Sequence, residues 1–597
     1  MRPLSFLLLA APLVILAACA TPPIELPTYE VDTQRLLQTP PAPVAAAPSD
    51  RASHVVIDDV RITPETAVGY DDLPASITQL FDSSPLDLSV ADVVIETLAN
   101  NHEIQIQGYS LRIDEYEIPV QKGIYDLMLN ARAEFSRIEE QTSTSSFAST
   151  GINSTRRRQF LTGLSQLFPT GATLDLGYAI ARSTNLFSSI SLAFLPGIVS
   201  PDNPLGLPVP MFSSTTRTDV QYRQSFTAAL TQPLLRGFGP AVTNANIRIA
   251  QLERQGSAAD FQTQVEETLL LALETYWQLI EAIELHKVAV VSYSAAADLL
   301  RVNRARYDAG VLPLTDVLQA EAAVGGRRVD VINARRSVRE LEDRLKQILL
   351  LQPDAPLWEA QLRPSQPFAW REIDVDLEES IDVALDRRAE IRRATSNIDQ
   401  ADVQLQVARN NLLPRLDLIG EVESSGLDDD GTGAYRTAKD GKYISYTAAL
   451  QFSYPLQNRA ARYRHRQARA QAEMAGENLQ AVVDRVALDV RNAVRLLRTA
   501  RERIDVTQSQ VRAAQALLDA ELKRLDVGVS TAFQVLQFQE DLAEAQANHL
   551  RAVVDYNRAA IRLERARGTL LDTYGVHVVG AELMPAVEPV VFPIGFN

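Results

Sequence analysis

The chain has 597 residues, which is too long for one ordinary domain, and its 58 Lys and Arg residues against 75 Asp and Glu residues give a net charge of −17. This acidic balance excludes nucleic acid as a partner, because a polyanion would be repelled. A hydrophobic content of 46% and a mean hydropathy of −0.08 exclude a helical multi-span membrane protein, but not the half-polar strands of a β-barrel.

The first residues, 1–18, predict a secretory signal peptide. A positive start is followed by an apolar run from Phe6 to Ala18, and Cys19 comes directly after it. The LAAC sequence that ends at Cys19 resembles a bacterial lipobox, which implies that Cys19 becomes the lipidated, palmitate-bearing first residue of the mature protein. Ala20, in place of Asp, favours delivery to the outer membrane. Cys19 is the only cysteine, so disulfides are excluded; the alternative is a chance cysteine in an ordinary signal peptide.

Beyond Cys19 the chain predicts a tether and then two repeats with the same order of elements. Residues 19–85 are rich in Pro, Ala, Ser and Thr, so they predict a lipidated N-terminal tether with some extended pieces. In chain order, the other predicted parts are a first repeat at 86–352, with a helix at 86–123, strands at about 128–232 and a helical hairpin at 240–352; a connector at 353–372; a second repeat at 373–575, with a helix at 373–411, strands at about 415–455 and a helical hairpin at 458–571; and a tail at 576–597.

The strand regions alternate apolar and polar residues, as at 174–180 and 444–454. The stretches 141–157, 186–216 and 424–442 are expected to be long loops on one side of the strands, which is typical of outer-membrane barrels. The alternative is a soluble sandwich. Charges on the polar strand faces and the very long neighbouring helices argue against it.

The long helices follow from the absence of proline at 241–312 and 456–584 and from apolar residues spaced by four and three. About 70 residues in one helix give a rod of roughly 100 Å. Since this is several times the thickness of a bilayer, these helices are expected to project away from the membrane. An open sheet cannot lie in hydrocarbon, so several copies are expected to close one barrel, with their helices forming a tube.

The two hairpin turns carry the clearest repeat. Residues 306–321 read RYDAGVLPLTDVLQAE, and residues 524–540 read RLDVGVSTAFQVLQFQE, with Gly310 and Gly528 at the same place. Gly528 follows Gly310 by 218 residues, whereas Glu390 follows Glu103 by 287, so the first repeat is 69 residues longer in its strand region. This surplus predicts an extra hairpin. Either each subunit gives six strands to the barrel, or the extra pair packs on a four-strand contribution.

With these turns, the QPLLRGFGP junction at 232–240 and the FPTGATLDLGY strand entry at 168–178, the chain resembles a TolC-family outer-membrane efflux protein over roughly residues 86–580. The resemblance implies an internally duplicated α+β membrane protein: a homotrimer with a β-barrel in the outer membrane and coiled-coil hairpins that form a periplasmic α-barrel. It also implies a passive channel for efflux or type I secretion, fed by a periplasmic adaptor and an inner-membrane pump of RND or ABC type. The lipobox fits the lipoprotein branch.

In that family the tip turns dock the adaptor. By position, the residues implied to line the two docking grooves are Arg306, Tyr307, Gly310, Val311 and Leu312, and Arg524, Leu525, Gly528, Val529, Ser530 and Thr531. The alternative is that both are only good hairpin turns. Pro313 is expected to stiffen the first turn, while the Ser-Thr pair softens the second.

The periplasmic gate is expected near Asp316, Gln534 and Gln537. Asp316 matches a family position that helps tie the closed state. The two glutamines stand where some relatives have acidic rings, which predicts a less charged gate; the alternative is that they are ordinary solvated helix positions.

The sequence contains no catalytic nucleophile motif, phosphate-binding loop or metal-ligand spacing, so it predicts no enzyme, no cofactor and no metal. A second hypothesis is a structural or adaptor envelope lipoprotein whose hairpins bridge the envelope without a channel. A third is an autonomous porin, which would leave the long helices without a purpose.

Overall fold

The computed structural model describes residues 29–31, 85–144, 149–195, 209–349, 358 and 360–578. The predicted signal peptide, Cys19, nearly all of the tether, much of the first half of the connector and the tail beyond 578 lie outside the described residues. Within the described part of the chain, no helix is both long and apolar enough to span a membrane.

The elements follow the predicted order. In chain order they are β1 (Tyr29–Val31), β2 (Leu86–Leu88), α1 (Val90–Asn100), α2 (His102–Lys122), β3 (Met128–Thr144), β4 (Ser149–Leu167), β5 (Thr173–Leu195), β6 (Val209–Pro233), α3 (Pro240–Thr243), α4 (Ala245–Asp308), α5 (Leu314–Leu349), β7 (Leu362–Pro364), α6 (Leu377–Arg387), α7 (Ala389–Asn410), β8 (Arg415–Asp428), α8 (Gly431–Lys439), β9 (Ile444–Ser453), α9 (Arg459–Asp526), α10 (Ala532–Arg567), α11 (Leu570–Thr573) and β10 (Val576–Val578). Among the described residues these elements form two compact units, one from 29–31, 85–113, 257–349, 358, 360–391 and 483–578 and the other from 114–144, 149–195, 209–256 and 392–482.

The second unit holds one antiparallel sheet of six strands, in the order β3-β4-β5-β6-β8-β9. Of the two arrangements left open by the sequence, the structure therefore has all six strands in one sheet. Strand β4 alternates poorly, yet it pairs with β3 and β5 along most of its length, because ladder hydrogen bonds come from the backbone and do not depend on the side-chain pattern.

The predicted long loops are wrong in extent. Most of 141–157 and 186–216 is strand, with pairing that continues to Thr144 opposite Ser149 and to Leu195 opposite Val209. In the stretch 424–442, β8 continues and α8 follows it. The carboxylate of Asp430 caps this helix, since it accepts hydrogen bonds from the backbone N–H groups of Thr432 and Gly433 at 3.2 and 3.3 Å. The threonines in 141–157 and 186–216 are β-branched, and such residues favour strands.

The first unit is helical. The residues of α4 that are spaced by four and three form a buried seam. Seven of them are at most 6% exposed: Val265, Leu269, Ala272, Tyr276, Leu279, Ile283 and His286. With 64 residues in α4 and 68 in α9, each helix is roughly 100 Å long. The predicted connector is more than a linker, because β7 pairs in parallel with β2, and Leu362 is completely buried. Strand β1, from the predicted tether, pairs with β10.

Each repeat has an equivalent hydrogen bond, as expected of a duplicated chain. Asn101, at the break between α1 and α2, donates from Nδ2 to the carbonyl oxygen of Ile348 at 3.0 Å. Arg388, at the break between α6 and α7, donates from Nη1 to the carbonyl oxygen of Ala566 at 3.2 Å. The donors are 287 residues apart and the acceptors 218, which are the two offsets that the sequence repeat predicts. Each repeat therefore ties its first helix pair to the returning helix of its hairpin.

Candidate docking tips and gate

The first tip is the turn between α4 and α5. Its backbone forms a Schellman motif, in which the N–H of Val311 donates to the carbonyl of Arg306 at 3.0 Å and that of Gly310 donates to Tyr307 at 2.8 Å. Gly310 has φ of 75°, a left-handed conformation that an L side chain adopts only with strain. The glycine therefore ends α4 and allows the chain to turn back.

The second tip, between α9 and α10, has the same geometry. The N–H of Val529 donates to Arg524 at 2.9 Å, that of Gly528 donates to Leu525 at 3.1 Å, and Gly528 has φ of 78°. The repeated sequence letters thus produce the same turn twice.

Both tips expose apolar side chains. Val311 is 75% exposed and Val529 is 63% exposed. Leu525, predicted to line the second docking groove, does not lie on the surface, because it is 9% exposed and packs in a cluster with Leu299, Leu518, Ala532 and Val535. Tyr307, its counterpart in the first tip, is 40% exposed. The docking role of Leu525 stays a prediction, and the side chain exposed next to it at this tip is that of Val529.

Side chains hold the two turns differently. At the second tip Glu521 is almost fully buried, accepts a hydrogen bond from the Ser530 hydroxyl and pairs with Arg524 at 3.1 Å. Thr531 caps α10 by accepting from the N–H of Gln534 at 3.4 Å. The serine and threonine of the second turn are thus both hydrogen-bonded, and the expected softening of this turn stays a prediction.

In the first tip, the position equivalent to Glu521 is Asn303. Its Nδ2 donates to the carbonyl of Asp316 at 3.5 Å, while its Oδ1 is buried without a hydrogen-bond partner among the described residues. Leu312 stands where the second tip has Ser530, and it has no hydroxyl with which to bond. The first tip thus has Asn303, Leu312 and Pro313 where the second has a carboxylate, a serine and a threonine.

The predicted gate residues are not brought together. Gln534 accepts from the Ser530 hydroxyl at 3.1 Å, and Gln537 donates to Asp541 at 3.4 Å, both within their own repeat. The carboxylate of Asp316 forms no ion pair within the part of the chain that the structure describes. A gate at these residues stays a prediction.

An ion pair that the sequence reasoning missed does connect the two repeats near the tips. Arg327 on α5 lies 3.3 Å from Glu540 on α10. The pair borders a groove of about 430 Å³ that Ala323, Gly326 and Phe533 help to line. The AAVGG run at 322–326 was the available signal, because adjacent glycines inside a helix weaken it and leave room beside it.

Two histidines, His286 in α4 and His549 in α10, are buried where the long helices pack. His549 is 4% exposed, its Nδ1 lies 3.1 Å from the Thr507 hydroxyl, and its Nε2 has no partner among the described residues. Burial lowers the pKa of His549. Burial, and then the charge of Arg335, lower the pKa of His286. The folded chain therefore favours the neutral form of both imidazoles.

We expect the thermal stability of the protein to depend on these histidines below neutral pH. Because the unfolded chain takes up protons near the ordinary histidine pKa of 6.5 and the folded chain resists them, the free energy of unfolding falls as the pH drops through that value. Replacing His549→Gln should flatten the dependence of Tm on pH between pH 7.5 and 5.5. The exposed His102→Gln variant is the control, and equal slopes in both variants would contradict the assignment.

Comparison with known proteins gives a consistent result. A sequence model described as the outer membrane efflux protein family matches residues 165–349 and 380–569, one segment in each repeat. The alkaline protease secretion protein AprF of Pseudomonas aeruginosa is 26% identical over 55% of this chain and 67% of its own. The pyoverdine export outer membrane protein OpmQ of the same organism is 26% identical over 66% of this chain and 82% of its own.

Among solved structures, the Campylobacter jejuni CmeC outer membrane channel superposes with a TM-score of 0.56 at 15% identity, covering 83% of this chain and 92% of that one. At this identity the likeness concerns the fold alone. It confirms the predicted fold class, an internally duplicated α+β membrane protein.

Proposed function

The chain belongs to the outer membrane efflux protein family, a family of outer-membrane transport channels, and from that membership we propose that it is the outer-membrane conduit of a tripartite efflux or type I secretion system. The observation that carries the proposal is the six-stranded sheet. One of its faces carries an apolar band and the other is polar and charged, as strands between lipid and a water-filled pore require.

The sheet also supports a homotrimer. Strands β3 and β9 are the edges of the described sheet, and unpaired edge groups are too costly in hydrocarbon. Pairing β9 of one copy with β3 of the next closes the sheet, and three copies of six strands give a barrel of about eighteen. The exposure of all ten β9 residues in the single chain fits an edge that a second copy covers.

The partners are a periplasmic adaptor and an inner-membrane pump of RND or ABC type. The tips present exposed valines on two turns of equal geometry, which suits the ends of helical hairpins from an adaptor. The pump supplies the energy. Among the relatives, one is named for protease secretion and another for pyoverdine export, so the cargo follows from the pump and adaptor rather than from this chain.

We further propose that Cys19 is lipidated and adds an anchor in the outer membrane. The support is its position directly after the apolar signal sequence. Intact-mass measurement of the purified chain tests this: a Cys19→Ser variant should lose the acyl mass, and an unmodified wild-type chain would contradict it.

The conduit itself is tested by conductance. Purified protein added to a planar bilayer should produce discrete current steps, because a closed barrel leaves a water-filled pore. The structural or adaptor lipoprotein alternative predicts a silent bilayer. The heat-denatured protein serves as the control, and complete absence of steps from a folded trimer would sink the proposal.

A further inference from the structure

A row of arginines lies on the apolar face of the sheet. Register and alternation put the following apolar residues on one face of β3 to β6: Leu129, Phe135, Phe160, Leu164, Leu176, Tyr178, Ile180, Phe226 and Leu230. On the same face, at the end of this apolar band, are Arg137, Arg156, Arg158 and Arg182, which we call the arginine row. All four side chains are exposed.

The arginines face one another across the strands. Arg137 is directly opposite Arg156, and Arg158 is directly opposite Arg182. Residues opposite each other have Cβ atoms about 5 Å apart, and like charges there are destabilising. Arg137 pairs with Glu139, while the other three form no ion pair within the described part of the chain. An anion bound between the guanidinium groups would relieve this repulsion.

Aromatic rings hold two of the guanidinium groups at the edge of the apolar band. The guanidinium carbon of Arg158 lies 5.9 Å from the ring centre of Phe135, and that of Arg182 lies 5.5 Å from that of Tyr222. A stacked guanidinium keeps its donors free at its edge, where it can bind a phosphate through two parallel hydrogen bonds.

The position of the arginine row along the strands determines which leaflet of the membrane the row faces. The turn after Leu167, the end of β6 at Pro233 and the start of β8 at Arg415 lie at the end of the sheet that leads into the helices. Arg158 is nine residues from Leu167, which is roughly 30 Å along a strand and, after strand tilt, close to the height of about 25 Å of a membrane barrel's apolar band. With the helices in the periplasm, the row faces the headgroups of the outer leaflet.

Helix α8 extends the basic surface on the same face. Its Tyr435 ring lies 6.1 Å from that of Phe226, and Gly426 permits the contact, because a Cβ there would lie 2.0 Å from the carbonyl oxygen of Ala434. Ala434 and Ala438 are buried against the sheet, so Arg436 and Lys439 are exposed.

We propose that the arginine row binds the phosphate groups of a phosphorylated glycolipid in the outer leaflet, with its acyl chains covering the apolar band beneath. This rests on the proposed function, since it needs the sheet in the outer membrane. A free phosphate would use only the arginines, whereas the continuity of the row with the exposed apolar band provides for a lipid.

The test uses purified trimer, with lipid A as the probe and retained lipid counted by native mass spectrometry. The Arg156→Gln/Arg158→Gln/Arg182→Gln variant should retain lipid A about tenfold less, because it loses three guanidinium groups that can donate charge-assisted hydrogen bonds to phosphate. The matched control is Arg132→Gln/Arg157→Gln/Arg223→Gln, which removes the same charge from the opposite face of the same sheet and should retain lipid A as the wild type does.

Equal loss in the two triple variants, or no loss in either, overturns the proposal. Displacement of lipid A by millimolar inorganic phosphate would show a free-anion site and overturn the lipid assignment. Conductance in a phosphatidylcholine bilayer is recorded on the same preparations. If the variant of the arginine row loses lipid A but keeps its current, the channel is folded and the row binds the lipid. Absence of current in the wild type would count against the proposed channel function. The single variants Arg158→Gln and Arg182→Gln should each lose part of the retention.

Discussion

Replacing Val311→Asp and Val529→Asp together is expected to abolish export while the protein stays folded and trimeric. These two side chains are 75% and 63% exposed, so a charge there is tolerated in the free channel. Their backbone N–H groups, not their side chains, complete the two turns. Docking of an adaptor would bury both carboxylates without a partner, and an uncompensated buried charge costs several kcal/mol.

The measurement is export by cells that carry the matching adaptor and pump, with a fall of about tenfold or more for the double variant. The control is Val311→Thr with Val529→Thr, which keeps the size and β-branching of valine and adds no charge. It should export at close to the wild-type rate. Normal export by the aspartate variant, or a parallel loss of its thermal stability and its conductance, would contradict docking at the tips.

Each aspartate alone separates the two tips. Because Gly310 and Gly528 give the same backbone turn, either tip offers a similar surface, and each single variant should lose less export than the double variant. A complete loss from Val529→Asp with no effect of Val311→Asp would assign docking to the second tip only.

The parts of the fold that depend on local patterns could be predicted from the sequence. The long helices follow from the missing prolines and the heptad, and the two turns follow from a glycine at the C′ position. The number of strands in the sheet did not follow, because β4 has a poor alternation and its pairing partners are distant in sequence. Helix α8 was missed because a short segment needs the sheet beneath it to be stable.

The candidate site shows the same limit at the level of single residues. Tyr307 and Leu525 occupy equivalent positions, yet one is exposed and the other is buried. The difference arises from the neighbouring helices, which no turn motif encodes. Likewise no turn motif shows that Glu521 accepts a hydrogen bond from Ser530, which follows it by nine residues.

Arg388 is a further case, because nothing in its local sequence indicates that its side chain is buried. In the structure it is 3% exposed, and it binds both carboxylate oxygens of Glu390, from Nε at 2.9 Å and from Nη2 at 2.7 Å. Asp489 lies 3.7 Å from Nη2, and the carbonyl oxygen of Ala566 accepts a hydrogen bond from Nη1. Arg565 joins the network at 3.1 Å from Glu390. The partners lie up to 178 residues away, so only the fold assembles them.

Replacing Arg388→Ala should therefore destabilise the helical unit by about 3 kcal/mol, the lower end for a broken buried ion pair because Glu390 retains some exposure. The neighbouring Arg387→Ala variant is the control, because Arg387 is about half exposed and pairs with Asp572 at the surface, where a pair contributes less than about 1 kcal/mol. Urea titration of the detergent-solubilised trimer, followed by circular dichroism at helical wavelengths, measures both. Similar midpoints for the two variants would contradict the role of Arg388.

We expect the stability difference between the wild type and Arg388→Ala to depend on pH. Burial alone raises the pKa of Glu390, but the hydrogen bonds and charge of Arg388 outweigh it and hold that pKa below its ordinary value of 4.5. A carboxyl group with a depressed pKa stabilises the fold above its unfolded pKa, and this stability is lost as the pH falls through the folded value. The difference between the wild type and Arg388→Ala should thus be largest near pH 7 and shrink as the pH falls toward and below 4.5, because Glu390 takes up a proton at a higher pH in the variant. A difference that stays unchanged in acid would mean that Arg388 acts through packing or the Ala566 carbonyl rather than through Glu390.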